Sequence, residues 1–328
     1  MKILVTGGTG FLGRHVVWRL AGVGHQLVFT GRDSAAAARV MAGNDARFVR
    51  VEHGASDAAA IVNRAATGAG AIIHCAALAS PWGARAAFVR ANIDATGEVL
   101  VAREQQGVAQ LVHISSPSVY FAFRDMLDIA EDDPLPTPVN QYARTKRIAE
   151  QLVLGAPAPA VILRPRAIFG AWDNALLPRL IRLLRYGRVP LLRGGRALLD
   201  LTYVDNVVDA IELALALAPA GTGKHVFNIT NGEPIEAGVL FARIADGFGL
   251  AVRPVRRPYL IADLAARGLE LAAHLRPGWE PPFTRYSLGA IAFSQTLDLR
   301  RARTVLGYQA RVSLADGIAR TAHWWRTQ

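Results

Sequence analysis

Over roughly its first 170 residues the chain alternates short apolar runs with stretches whose apolar residues recur at helical spacing. The runs Lys2–Thr6, Gln26–Thr30, Ala71–His74, Gln110–Ser115 and Ala160–Arg164 are nearly unbroken in hydrophobic residues. A strand with one wet face alternates polar and apolar positions, so these strands are expected to be covered on both faces. After the first run, Val16, Val17 and Leu20 fall on one helical face. Strand–helix alternation of this kind predicts an α/β fold, a doubly wound parallel sheet of the Rossmann type. A further strand is expected at His225–Ile229, after a helix over Val207–Ala218. The remainder is less regular and is punctuated by Pro254, Pro258, Pro281 and Pro282. Residues 1–170 are read as the wound domain, with 201–231 returning to it, and 171–328 mainly as a smaller C-terminal substrate-binding lobe.

Composition narrows the class. With 328 residues, 52% of them hydrophobic and 19% charged, the chain is globular rather than repetitive or disordered. Glycines at 7, 8, 10 and 13 interrupt the apolar start MKILVTGGTGFLG, which argues against a secretory leader. The uncharged run Ala65–Ala84 carries glycines, His74 and a proline, so no transmembrane helix is expected. The single cysteine, Cys75, excludes an internal disulfide, is expected to pack in a strand, and suits a reducing cytoplasm. The formal charge of +11 raises nucleic acid as a partner, yet only three basic residues are lysine, and the 34 arginines are spread along the whole chain. That distribution is compositional bias, and no nucleic-acid partner is expected.

The run TGGTGFLG places Gly7, Gly10 and Gly13, with Phe11 and Leu12, between the first strand and its helix. Glycines there let the backbone turn tightly and approach a pyrophosphate set against the amides of a helix N-terminus, so 1–170 is expected to bind a dinucleotide. The second strand ends in LVFTGRDS. An NAD enzyme wants a carboxylate there for the ribose hydroxyls, but Gly31 stands in its place, followed by Arg32, whose guanidinium suits a 2′-phosphate. NADP(H) is favoured, and NAD(H) stays open because a shift of one or two residues brings Asp33 to the ribose.

In QYARTK, Tyr142 and Lys146 stand four apart, on one face of a helix. A phenol ionises near pH 10, too high for neutral acid–base work; a lysine charge about 4 Å away at an effective dielectric of about 20 is worth roughly 4 kcal/mol, about three pKa units. Lys146 is therefore expected to bring Tyr142 into range. Its identity carries weight, because a chain that otherwise uses arginine keeps lysine here. In HISSPSVYF a strand ends at Ser115 and Ser116, either of which can offer a hydroxyl to a developing oxyanion, with Ser116 preferred.

With these residues in view, the chain resembles the extended short-chain dehydrogenases/reductases of the NAD-dependent epimerase/dehydratase superfamily over nearly its whole length. The resemblance rests on TGGTGFLG, HCAA at His74–Ala77, NIDATG at Asn92, ISSPSVY, YARTK, LRPRAIFG at Leu163–Gly170 and TYVDN at Thr202–Asn206. It implies that Asn92 helps order the catalytic groups, that Ala76 and Ala77 line the cofactor, that Tyr142 and Lys146 also contact it, that Pro165 meets the nicotinamide amide, and that the protein is a homodimer. An aspartate that often contacts adenine in that family is replaced by Gly54. ALASPWG, RPRAIFG with LLPRL, EPPFTR and LGYQARVSLADGI are most similar to the 3β-hydroxysteroid dehydrogenase-like branch, near bacterial 2-alkyl-3-oxoalkanoate reductases.

Trp82, Tyr120, Phe121, Phe123, Phe169, Trp172 and Tyr203 follow strands, where wound sheets bind ligands, and suggest an apolar small-molecule substrate: a 3-hydroxy or 3-oxo acid, or a sterol. Arg166, Arg179 and Arg285 are candidates to meet a substrate carboxylate. Leucines at 260, 264, 271 and 275 mark a helix over 259–276, an ordinary amphipathic helix, a lid, a dimer face or a site of peripheral membrane contact. The favoured activity interconverts a secondary alcohol and a ketone by hydride transfer. The rivals are a sugar-nucleotide epimerase or dehydratase, and a non-catalytic NADP-binding sensor.

Overall fold

The computed structural model describes residues 1–217, 223–276 and 278–328. The first half runs β1 (Lys2–Thr6), α1 (Phe11–Gly22), β2 (Gln26–Gly31), α2 (Ser34–Met41), β3 (Arg47–Arg50), α3 (Ala58–Ala66) and β4 (Ala71–His74). There follow α4 (Arg85–Phe88), a π-helical turn (Val89–Asp94), α5 (Ala95–Gln105), β5 (Gln110–Ile114), β6 (Met126–Ile129), α6 (Gln141–Gly155) and β7 (Ala160–Pro165). Next come β8 (Ile168–Phe169), α7 (Leu177–Arg185), β9 (Arg188–Leu192), β10 (Leu198–Leu199), β11 (Thr202–Tyr203), α8 (Val204–Ala216) and β12 (Lys224–Ile229). The chain ends with β13 (Ile235–Glu236), α9 (Ala237–Gly247), β14 (Arg253–Arg257), α10 (Tyr259–His274), α11 (Arg285–Ala292), β15 (Gln295–Leu297), α12 (Arg300–Thr304) and α13 (Leu314–Arg326).

Seven strands form one sheet in the order β12-β7-β5-β4-β1-β2-β3, every neighbour parallel. The unbroken apolar runs are explained by two cores. Ile3, Val5, Ile73, Val112, Ile114, Val161 and Leu163 point into one hydrophobic layer, while Leu4, Ile72, Leu111 and Ile162 point into the other. Successive side chains of a strand face opposite ways, so a strand buried on both sides needs hydrophobic residues at every position.

β3 escapes the sequence pattern because it is the sheet's edge: Arg47 and Arg50 are exposed, and Phe48 and Val49 only half-buried. Charged ends on an edge strand discourage pairing with a further chain. The helix expected over Val207–Ala218 begins three residues earlier, at Val204; Ala218 lies outside the described residues. Cys75 follows β4 rather than sitting in it, and burial pushes its thiol up to about 12. Among the described residues, no helix is long and apolar enough to cross a membrane.

Smaller sheets flank the C-terminal edge of the large one: β13-β10-β15-β6, β11-β8 and β14-β9. β6 is drawn out of the N-terminal half to pair with β15. Between β1 and β4 the connections leave in opposite directions, which opens the crevice where wound sheets bind ligands.

The turn after β1 is packed so closely that side chains are excluded. Gly7 has φ +70°, and a Cβ there would stand 2.7 Å from the Ala76 backbone; one on Gly13 would stand 2.2 Å from the Gly7 carbonyl oxygen. Gly13→Ala is expected to lower stability by roughly 1–3 kcal/mol through overpacking. Gly97→Ala, on α5 with nothing within 4 Å of the added carbon, should instead stabilise by about 0.5–1 kcal/mol. Urea unfolding of the two variants checks the contrast, and equal effects would contradict the packing argument.

Candidate active site

The ends of β1, β4, β5 and β7 converge at the crevice. Asn140 starts α6 by accepting a hydrogen bond from the Ala143 amide at 2.8 Å, which sets Tyr142 and Lys146 in the first two turns. At the end of β5, Ser116 begins a 3-10 turn and accepts from the Ser118 amide at 3.2 Å. The two neighbouring serines have separate roles. Ser115 donates to Glu150 Oε2 at 2.7 Å, below the crevice, leaving Ser116 as the hydroxyl that meets Tyr142.

Burial raises the phenol of Tyr142, and Ser116 is the neighbour that pulls it down. The expected depression by Lys146 is absent from this structure. Its Nζ donates to the Ile114 carbonyl at 2.5 Å. Burial pushes the ammonium of Lys146 down to about 8, against the opposing pull of Glu150 and Cys75.

Asn92 is 1% exposed on the π-helical turn that links α4 and α5. Its Oδ1 accepts from the Leu78 amide at 2.7 Å, and its Nδ2 donates to Thr145 Oγ1 at 2.9 Å. It thereby ties the loop after β4 to α6, between Tyr142 and Lys146. His74 makes a second tie, with Nδ1 2.6 Å from Thr6 Oγ1 and Nε2 3.0 Å from Thr96 Oγ1. Ala76 is buried beside the glycine turn, Ala77 is exposed at the crevice, and Pro165 closes β7.

Gly10 caps α1, whose first residues are Phe11 and Leu12. At the end of β2, a Cβ on Gly31 would lie 2.3 Å from Thr9 Oγ1, so no carboxylate fits there with Thr9 in place. Asp33 caps α2 through the Ala36 amide at 2.9 Å, and that bond foremost holds its carboxyl below the usual range. Arg32 is exposed beside it. Near Gly54, Glu98 binds the Gly54 amide at 2.8 Å and His53 Nδ1 at 2.5 Å, while the stem of Arg90 lies where a side chain at position 54 would point.

Most of the aromatic candidates prove to be packing residues. Tyr120 is wholly buried and bonds Asn228 Oδ1 at 3.0 Å and the guanidinium of Arg164. Phe169 and Tyr203 stack edge-to-face in the core at 5.5 Å. Trp172 lies between Trp18 and Trp324, under Arg14 at 4.9 Å, clamping α1 to α13. Apolar rings after strands were drawn into the seam between sheet and lobe, which needs large hydrophobic surfaces as much as a ligand does.

Trp82 is half-buried, its ring 4.9 Å from that of His274 on α10. That helix turns Asp263, Ala266 and Ala273 inward and exposes Leu260, Leu264, Leu271 and Leu275. Tyr286 on α11 was not foreseen. It stands in electrostatic reach of Tyr142 and packs 5.1 Å from Phe121, and the one signal for it was its place directly after EPPFTR.

Residues 3–230 match the family described as the NAD dependent epimerase/dehydratase family. The chain is 34% identical over 324 residues, 97% of itself and 95% of the relative, to the 4-hydroxy-2-methyl-3-oxo-4-farnesyl-3,4-dihydroquinoline-1-oxide ketoreductase of Stigmatella aurantiaca. It is 34% identical over 333 residues, 98% of each chain, to the 2-alkyl-3-oxoalkanoate reductase of Stenotrophomonas maltophilia. It is 31% identical over 338 residues, 99% of itself and 88% of the relative, to the decarboxylating sterol-4-alpha-carboxylate 3-dehydrogenase of Homo sapiens. Among solved structures, MoeE5 in complex with UDP-glucose and NAD superposes with TM-score 0.77 at 27% identity, over 100% of this chain and 99% of that one.

The buried ammonium of Lys146 has a measurable consequence. Between pH 8 and pH 10 an unfolded chain keeps a lysine proton that the folded chain has given up, so stability rises with pH in that window. The gain is expected to be on the order of 2 kcal/mol. In urea unfolding it should be missing from Lys146→Met, and identical pH profiles for the two proteins would sink the assignment.

Proposed function

Because the chain belongs to the NAD dependent epimerase/dehydratase family, we propose that it is an NADP(H)-dependent reductase of the 3β-hydroxysteroid dehydrogenase-like branch that interconverts a ketone and a secondary alcohol on a largely apolar substrate. The observation that carries the reading is the Tyr142 phenol beside the Ser116 hydroxyl, held protonated by burial. A protonated phenol is the form that ketone reduction requires.

The glycine turn fits a dinucleotide, since its backbone leaves no room for a Cβ at Gly7 or Gly13 beside the amides at the start of α1. Bound there, the nicotinamide supplies the hydride. Tyr142 would give its proton to the carbonyl oxygen, leaving a phenolate that regains a proton from solvent before the next turnover, and Ser116 Oγ would donate a hydrogen bond to the same oxygen as it gains charge. Asn92 positions α6 through Thr145. The names of the relatives support the substrate class: a farnesylated quinoline, an oxoalkanoate and a sterol carboxylate are large and apolar, and the last two carry a carboxylate.

NADP(H) is supported by the missing carboxylate at Gly31, the engagement of Asp33 as a helix cap, and the exposed Arg32. Against a sugar-nucleotide dehydratase, Pro117 and Ser118 follow Ser116, where an acidic pair is common in those enzymes.

Tyr142→Phe is expected to cut turnover of ketones with NADPH by about 10²–10⁴-fold while NADPH binding, read by cofactor fluorescence, stays unchanged. Retained activity would falsify the mechanism, and copurified cofactor with no consumption of added NADPH would favour epimerisation. Arg32→Ala is expected to weaken NADPH about ten- to a hundredfold and leave NADH untouched; a wild-type protein that prefers NADH overturns the cofactor assignment.

A further inference from the structure

We propose that Arg166 is the receptor for a carboxylate on the substrate, an inference that rests on the oxidoreductase reading above. Arg166 directly follows Pro165 at the end of β7 and is 7% exposed. Its Nε donates to Gln295 Oε1 at 3.1 Å and its Nη1 to the main-chain oxygen of Asp200 at 3.0 Å. A guanidinium has five N–H donors. Two are engaged here, both by uncharged acceptors, and Nη2 has no hydrogen-bond partner among the described residues.

The nearest acid does not neutralise it by contact. Asp200 accepts from Thr230 Oγ1 through Oδ2 at 2.7 Å, while its Oδ1 is buried without a hydrogen-bond partner, and the carboxylate acts on Arg166 only from beyond ion-pair distance. The other two arginines offered by the sequence are already matched. Arg179 pairs with Glu280 at 2.7 Å, and Arg285 pairs with Asp263 at 2.7 Å while lying over the ring of Phe123. Of the three, only Arg166 is buried without an ion-pair contact among the described residues.

Its position is next to the reacting groups. Gln295, which accepts from Arg166, donates through Nε2 to the carbonyl of Pro117 at 3.2 Å, and Pro117 follows Ser116. From the lobe, Tyr286 lies within electrostatic reach of both Tyr142 and Arg166. The guanidinium is thus one side chain away from the Ser116–Tyr142 pair.

Burial of a lysine is relieved by loss of its proton, but an arginine keeps its charge. A buried guanidinium therefore gains most from an anion, and its planar fork matches a carboxylate with two parallel hydrogen bonds. The phosphates of a dinucleotide belong at the glycine turn after β1 and at Arg32 after β2, separated from β7 by β5 and β4. The anion at Arg166 is accordingly assigned to the substrate, which places the substrate's carboxylate beside its reacting carbon.

The test uses the full chain loaded with NADP⁺, titrated calorimetrically with 3-hydroxytetradecanoate and with its methyl ester, alongside the oxidation of both. The wild-type protein should bind the acid at least about tenfold more tightly than the ester. Arg166→Gln should lose about ten- to a hundredfold in acid affinity, appearing in KM more than in kcat, with ester affinity and cofactor affinity preserved. If that variant does not fold, Arg166→Lys decides: a weaker acid with an unchanged ester supports the proposal, and equal loss of both overturns it. Equal wild-type affinity for acid and ester also overturns it. Acid binding that depends on Arg166 without any turnover counts against the redox reading and leaves the carboxylate receptor standing.

Discussion

The site depends on one buried ion pair. Arg164 on β7 grips Glu150 on α6, with Nε 3.0 Å from Oε2 and Nη2 on Oε1, and both side chains are almost fully buried. Around it gather Ser115 on Glu150, Tyr120 under the guanidinium at 4.7 Å, and the Glu131 carbonyl at 3.1 Å. Asn228 joins through Tyr120 and through Glu131 Oε1, which accepts from the Asn228 amide at 2.8 Å. Such a pair is costly to desolvate, and removing either partner alone typically costs about 3–5 kcal/mol. What it secures here is geometry. Glu150 stands one turn beyond Lys146 on α6, and its bond to Ser115 sets the end of β5, so the same carboxylate registers the helix bearing Tyr142 against the strand bearing Ser116.

Above that pair lie two buried cations that respond to burial in different ways. Lys146 has Glu150 one helical turn away, and burial still pushes its ammonium down to about 8. Arg166 has no comparable release, because a guanidinium remains protonated. The contrast explains why the crevice can hold both: one side chain adjusts its charge, while the other presents a fixed charge to whatever enters. Tyr142 stands beside Ser116 with its phenol raised by burial.

The order of the wound domain was legible because the periodicity is unusually plain. Strands covered on both faces need hydrophobic residues throughout, and β1, β4, β5 and β7 were located within a residue or so. β3 was not, since an edge strand with arginines at both ends carries no such signal. The glycine turn and the Tyr142–Lys146 spacing were legible for a local reason: both act within a few residues of chain, where sequence distance and spatial distance agree. The fate of the aromatics was not legible. Tyr120, Phe169, Trp172 and Tyr203 occupy the same kind of position after a strand as Trp82, yet Tyr120, Phe169 and Tyr203 are buried, Trp172 is half-buried between Trp18 and Trp324, and Trp82 is half-buried against His274.

By itself, then, the sequence determined the wound sheet, the glycine turn and the placement of Tyr142 and Lys146 on one helix, all of which follow from short-range spacing and from the period of the chain. Only the tertiary structure gave Ser115 and Ser116 different partners, because Ser115 meets Glu150, 35 residues further on. Only the tertiary structure separated Arg166 from Arg179 and Arg285, since each arginine is defined by the acid it meets or lacks. Those partners are 101 residues away for Arg179 and 22 for Arg285. Charge matching of this kind is a property of packed neighbours, and no local pattern in the chain encodes it.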